Sequence, residues 1–308
     1  MPHPDRRGRW RHVLCALSGA AALALSLAAH GQPSNADTLT RIKERGYITL
    51  GHRESSVPFS YFDDKGQVVG YSHELALRIV DAIRQHLEDP LLVLRLVLVT
   101  PENRISSIAN GEVDFECGST THNSVRARQV SFSNTIFVIG TRLLTARDSG
   151  IHDFPDLAGR RVVTTVATTS EHLLRRMNEE KQMDMTILTA PDYDESFHVL
   201  ERGEADAFMM DDALLYGEVA KAKNPGQWIV TGTPQSYEAY GCMMKRGDVA
   251  FKRLVDSTLA RIMQSGEAER IYRKWFMSPL PSSGLNLNYP LSETLRALFR
   301  NPNDHPYQ

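Results

Sequence analysis

Residues 38–50 read TLTRIKERGYITL, the first of a series of helix-and-strand units. A short helix over Thr38–Arg45, stopped by Gly46, leads into Tyr47-Ile48-Thr49-Leu50, an apolar run with the length of a buried strand. The same alternation then repeats. Residues Glu74–Leu87 carry helical apolar spacing, Leu91–Thr100 read as a strand, Asn103–Ala109 as a short helix, and Val113–Cys117 as another strand. Such βαβ alternation predicts an α/β fold with parallel sheets covered by helices.

A second series follows, with strands expected over Val162–Val166, Met185–Leu188 and Ala207–Met210, and helices over Ser170–Lys181 and Ser196–Arg202. The apolar stretch Thr135–Thr145 lies between the two series, and Tyr240-Gly241-Cys242-Met243-Met244 follows the second. These two extended connections are expected to join two lobes, the chain crossing over and returning. Helices over Val249–Gln264 and Glu267–Phe276 then pack back on the first lobe, and Pro279, Pro281, Ser282, Ser283 and Gly284 mark a loop into a C-terminal extension.

With 308 residues, 42% hydrophobic and 23% charged, the chain has globular composition and enough length for two domains. At the amino end Arg6, Arg7, Arg9 and Arg11 precede an uncharged Ala/Leu run, Val13–Ala29, and Ala29-His30-Gly31 offers small residues at −3 and −1. Residues 1–31 therefore read as a signal peptide cleaved near Gly31, and the mature chain as soluble and exported to the periplasm. The formal charge of −2 becomes −5 without residues 1–31, which hold four arginines and one aspartate. That balance argues against a nucleic-acid partner. Cys15 leaves with the signal, so Cys117 and Cys242 remain as an even pair. In an oxidising compartment they are expected to form a disulfide, two separately buried thiols being the alternative.

Ligands of open α/β sheets gather at the carboxyl ends of strands. There the chain places Gly51-His52-Arg53, Pro101-Glu102-Asn103-Arg104, Gly118-Ser119-Thr120-Thr121 followed by Arg126, Ala167-Thr168-Thr169-Ser170, and Asp211-Asp212. Each has a plain structural reading: Thr168-x-x-Glu171 as an ordinary helix cap, Arg53 paired with Glu54, Arg126 on a helix surface, Asp211 or Asp212 as an N-cap. Jointly, three arginines and one or two aspartates suit a zwitterion carrying an extra negative charge, since the guanidinium fork matches carboxylates. An acidic amino acid fits that count. No G-x-S-x-G, Walker loop, G-x-G-x-x-G, H-E-x-x-H or C-x-x-C is present, and histidines 52, 73, 122, 152, 172 and 198 are dispersed, which favours surface or capping roles over metal ligation. No cofactor is expected.

Four strings give a resemblance: Gly51 to Tyr61 (GHRESSVPFSY), Asp114 to Thr121 (DFECGSTT), Phe208 to Leu215 (FMMDDALL) and Glu238 to Met243 (EAYGCM). They are similar to the periplasmic solute-binding proteins of polar amino-acid ABC transporters, specifically the glutamate/aspartate-binding proteins, over about Thr38–Asp304. The resemblance implies a type II periplasmic-binding fold, two α/β lobes joined by two crossover strands. The first lobe would hold residues 32–138 and 240–308, the second 139–239. It also implies roles: Arg126 for the α-carboxylate, helped by Ser119, Thr121 and the Thr168/Thr169 turn, Asp211 for the α-ammonium, Arg53 and Arg104 for the side-chain carboxylate. Phe59 and Tyr61 would flank the cleft or fill the core. The chain departs from the pattern at Pro101 (for Ser), Tyr193 (for His) and Ala167 (for Gly), and the hydroxyl of Tyr193 stays in the expected ligand set.

The expectation is a non-enzymatic monomer that captures L-glutamate or L-aspartate and presents it to a membrane ABC permease. Two alternatives are a periplasmic cyclohexadienyl-dehydratase-like enzyme on the same fold, with Glu116 or His52 as acid or base, and a ligand sensor.

Overall fold

The computed structural model describes residues 37–281 and 284–306, so the expected signal peptide lies outside the described residues. The opening stretch forms helix α1 (Thr38–Arg45), capped by Asp37, whose side chain accepts from the Thr40 N–H at 2.8 Å. Gly46 ends it at φ 71°, a left-handed turn that suits glycine, and sends its N–H back to the Ile42 carbonyl. The chain continues through β1 (Tyr47–His52), β2 (Ser55–Ser56), β3 (Ser60–Phe62), β4 (Val68–Val69), α2 (Tyr71–His86), β5 (Val93–Leu98), α3 (Arg104–Ala109), β6 (Phe115–Glu116) and β7 (Val130–Phe132). The second series is β8 (Phe137–Ala146), β9 (Arg161–Thr165), α4 (Thr169–Glu180), β10 (Thr186–Ala190), α5 (Tyr193–Glu201), β11 (Ala207–Asp211), α6 (Asp212–Lys221), β12 (Trp228–Thr231) and β13 (Tyr237–Tyr240). The return is β14 (Met243–Lys245), α7 (Val249–Gln264), α8 (Glu267–Phe276) and α9 (Glu293–Arg300).

Two sheets result. The first has the order β5-β1-β6-β14-β7, with β5, β1 and β6 parallel; the second has β10-β9-β11-β8-β12, with β10, β9 and β11 parallel. In β1 every residue after Tyr47 is buried, as helices on both faces require. β13 pairs antiparallel with β8, Tyr240 opposite Phe137 and Tyr237 opposite Gly140, so the outgoing and returning connections run side by side. The final helices do return to the first sheet: Phe251, Val255, Leu259 and Ile262 of α7 share a core with Leu75, Ile79 and Ile83 of α2.

Phe59 belongs to the interior, fully buried and packed edge-on to Phe137, Tyr240 and Phe276. This aromatic cluster seats both crossover strands on the first lobe. Two local readings need correction: the strand expected over Val113–Cys117 is only Phe115–Glu116, and the helix around Arg126 is a three-residue 3-10 turn. The expected C-terminal extension contains α9, capped by Ser292. Among the described residues no helix is long and apolar enough to cross a membrane.

Candidate functional site

Parallel register brings the carboxyl ends of β1, β5 and β6 to one edge of the first sheet. Arg53 follows β1, Arg104 opens α3 just beyond β5, and Ser119–Thr121 follow β6. Arg53 and Arg104 are 2% and 1% exposed, which rules out the reading of Arg53 as a surface partner of exposed Glu54. The Arg104 Nη1 donates to the Ser119 carbonyl at 3.1 Å and to Thr120 Oγ1 at 2.9 Å. Its Nε, and Nη1 of Arg53, are buried and make no hydrogen bond. Burial, followed by the neighbouring Arg53 charge, lowers the affinity of Arg104 for its proton. Beneath them lies fully buried Glu116, whose Oε1 also lacks a partner; burial raises its pKa, opposed by the charges of Arg104 and Arg53.

The second sheet offers its own strand ends across the cleft. Tyr193 opens α5, and its hydroxyl lies 3.1 Å from Ser119 Oγ while its ring sits 5.2 Å from the Arg53 guanidinium. Arg126, 7% exposed, donates from Nη1 to the Thr121 carbonyl at 3.1 Å and from Nη2 to the Ala167 carbonyl at 3.3 Å. It thereby ties the two lobes together, and burial pulls its pKa down to about 10. Thr168 caps α4, accepting from the Glu171 N–H at 3.1 Å, while the Glu171 carboxylate accepts from the Ala167 N–H at 2.8 Å. Thr168 is buried and Thr169 half-buried at the amino end of this helix, where free N–H groups and the helix dipole favour an anion.

Asp211 is the N-cap residue of α6, yet its side chain makes no capping bond. It accepts instead from Thr141 Oγ1 at 3.0 Å, Ser170 Oγ at 3.4 Å and the Tyr240 hydroxyl. Burial, then the charge of Glu238, pushes its pKa up to about 7. Cys117 and Cys242 are joined, so the separate-thiol alternative falls. The bridge fastens the Ser119–Thr121 segment to the returning crossover, where Thr121 also pairs with Tyr240.

Eight of the nine expected ligand residues end or follow strands of the two sheets; Arg126 lies in a short 3-10 turn, from which its guanidinium reaches the Thr121 and Ala167 carbonyls. Thr141 and Tyr240 were not expected at the site; they lie on β8 and β13 and reach it through Asp211, as does Ser170, which the sequence places at the Thr168/Thr169 turn. The surface reading of the histidines fails for His52 and His73, which are 4% and 6% exposed, and burial pulls His73 down to about 4. No group of metal-ligating side chains occurs among the described residues. A cavity of about 90 Å³ opens beside the site, lined by Glu54, Val57, Tyr61, Asp194 and Lys221 among others, and none of the nine residues borders it.

Residues 48–278 match the family described as bacterial extracellular solute-binding proteins, family 3. The chain is 55% identical over 268 residues to an L-glutamate/L-aspartate-binding protein of Pseudomonas aeruginosa, covering 87% of this chain and 89% of that one. It is 51% identical over 290 residues to a glutamate/aspartate import solute-binding protein of Escherichia coli K12, covering 92% and 96%. The fold is similar to that of a cysteine-binding protein from Campylobacter jejuni, TM-score 0.69 at 23% identity, covering 78% and 93%. Two α/β lobes joined by paired crossover strands, with polar strand ends turned toward each other and this match across most of its length, make the chain a member of the bacterial extracellular solute-binding proteins, family 3.

Proposed function

We propose that the mature protein captures L-glutamate or L-aspartate between its lobes and delivers it to a membrane ABC permease. The observation that carries this reading is the pair of buried arginines, Arg53 and Arg104, each with a guanidinium nitrogen that no protein group satisfies. Buried unpaired cations are costly, and a carboxylate that accepts from both removes that cost. In this reading they hold the side-chain carboxylate, Arg126 with Ser119, Thr121 and the Thr168/Thr169 turn holds the α-carboxylate, Asp211 accepts from the α-ammonium, and Tyr193 contributes its hydroxyl. Contacts from both lobes favour closure with ligand bound. The names of the relatives support the ligand class.

The lobe boundaries fall inside β8 and β13, giving 32–138 with 240–308 and 139–239. Residues 1–31 direct export and are removed near Gly31, which puts the chain in the periplasm; we read it there as a monomer. We read it as a binder rather than an enzyme: the His52 ring is buried edge-on to Phe62 with Nδ1 against the Arg53 carbonyl, and Glu116 lies under the arginines, so neither is presented as acid or base.

The test is calorimetric titration of refolded, ligand-stripped protein with L-glutamate, L-aspartate and L-glutamine. The amide is expected to lose about 2–5 kcal/mol, roughly thirty-fold to several-thousand-fold in affinity, because charged donors stay buried with no carboxylate to accept from them. Equal binding of all three would remove Arg53 and Arg104 from the site.

A further inference from the structure

Helix α6 of the second lobe carries Gly217 where it runs against the first lobe. A Cβ at this position would stand 2.3 Å from the Val57 carbonyl oxygen, 2.9 Å from its carbonyl carbon and 3.1 Å from its Cβ. Such distances lie well inside van der Waals contact, and two of the three atoms are backbone. Gly217 has no positive φ, so its conformation does not call for glycine, and glycine is a poor helix former. Close approach to Val57 is what its missing side chain permits. Val57 sits in the turn between β2 and β3, and the small cavity beside it is walled by Val57 and Tyr61 from one lobe and Asp194 and Lys221 from the other. This seam is separate from the nine ligand residues.

We infer that Gly217 sets how far the lobes close, and so positions the ligand groups without touching ligand; the inference rests on the capture reading above. Any side chain there holds the seam apart by about an ångström, the shortfall between 2.3 Å and ordinary C···O contact. The inter-lobe bonds, Arg126 to the Ala167 carbonyl at 3.3 Å and Ser119 to Tyr193 at 3.1 Å, have no such slack.

The experiment compares wild type with Gly217→Ala as mature, ligand-stripped chains by thermal melting, calorimetry and small-angle scattering. The variant is expected to melt at or above wild type without ligand, since the open form has no clash and alanine is the better helix former. Its affinity for L-glutamate and L-aspartate should fall by one common factor of at least about tenfold, and its ligand-bound radius of gyration should exceed that of wild type. Wild-type affinity in the variant would overturn the inference. So would a ligand-free variant that melts lower or fails to fold, because the contact would then be permanent packing. The ratio is read with whichever of the twenty L-amino acids gives heat with wild type, so that a wrong ligand and a wrong role for Gly217 fail separately.

Discussion

Asp211 stands where β11 passes into α6, buried between Thr141, Ser170 and Tyr240 and facing the charges of Glu238 and Asp212. Its folded pKa of about 7 lies above that of an exposed aspartate, about 3.9. The folded chain therefore binds this proton more tightly than the unfolded one, and the stabilisation it gives grows as pH falls from about 7 to about 4 and is lost as pH rises through 7. An α-ammonium needs the ionised carboxylate, so ligand affinity runs the opposite way. Glutamate is expected to bind about tenfold more weakly at pH 6 than at pH 8, a difference that Asp211→Asn abolishes along with most of the affinity. Calorimetry at the two pH values checks this, and a flat profile in wild type would take Asp211 out of the ammonium site.

At the scale of elements, the turn from β9 into α4 shows how a site is built on a strained connection. Ala167 adopts φ 58°, a left-handed conformation that costs a residue with a Cβ about 1–2 kcal/mol. The conformation persists because both of its peptide groups are engaged, the N–H by Glu171 and the carbonyl by Arg126. Glycine relieves the strain at some entropic cost. Ala167→Gly is therefore expected to stabilise the ligand-free protein by about 0.5–1 kcal/mol, a rise in Tm of about 2 °C, with the Arg126 bond retained. A lower Tm would mean that the turn is not strained. The same element shows what local sequence conveys: Thr168-x-x-Glu171 announces the cap, and α1, α7 and α8 keep the limits that spacing and Gly46 predict. The helix expected around Arg126 is one 3-10 turn, and the Arg126 side chain bonds the Thr121 carbonyl.

For the whole molecule, the Cys117–Cys242 bridge closes a loop of 125 residues that contains the entire second sheet. Cross-linking so long a loop restricts the unfolded chain, and replacing both cysteines by serine is expected to cost about 2–4 kcal/mol in urea unfolding. An unchanged midpoint would leave the bridge without a role in stability. The order of residues by itself determined the α/β alternation, the two extended connections and the strand-end arginines, because periodicity, caps and turn residues act over a few neighbours. Composition and position also singled out Cys117 and Cys242. Tertiary structure alone decided which strand ends meet. It buried His52, His73 and Phe59, turned Asp211 from a cap into an acceptor for Thr141 and Tyr240, and set Gly217 against Val57. Those outcomes depend on parallel register, on the approach of segments far apart in the sequence, and on burial that no local pattern records.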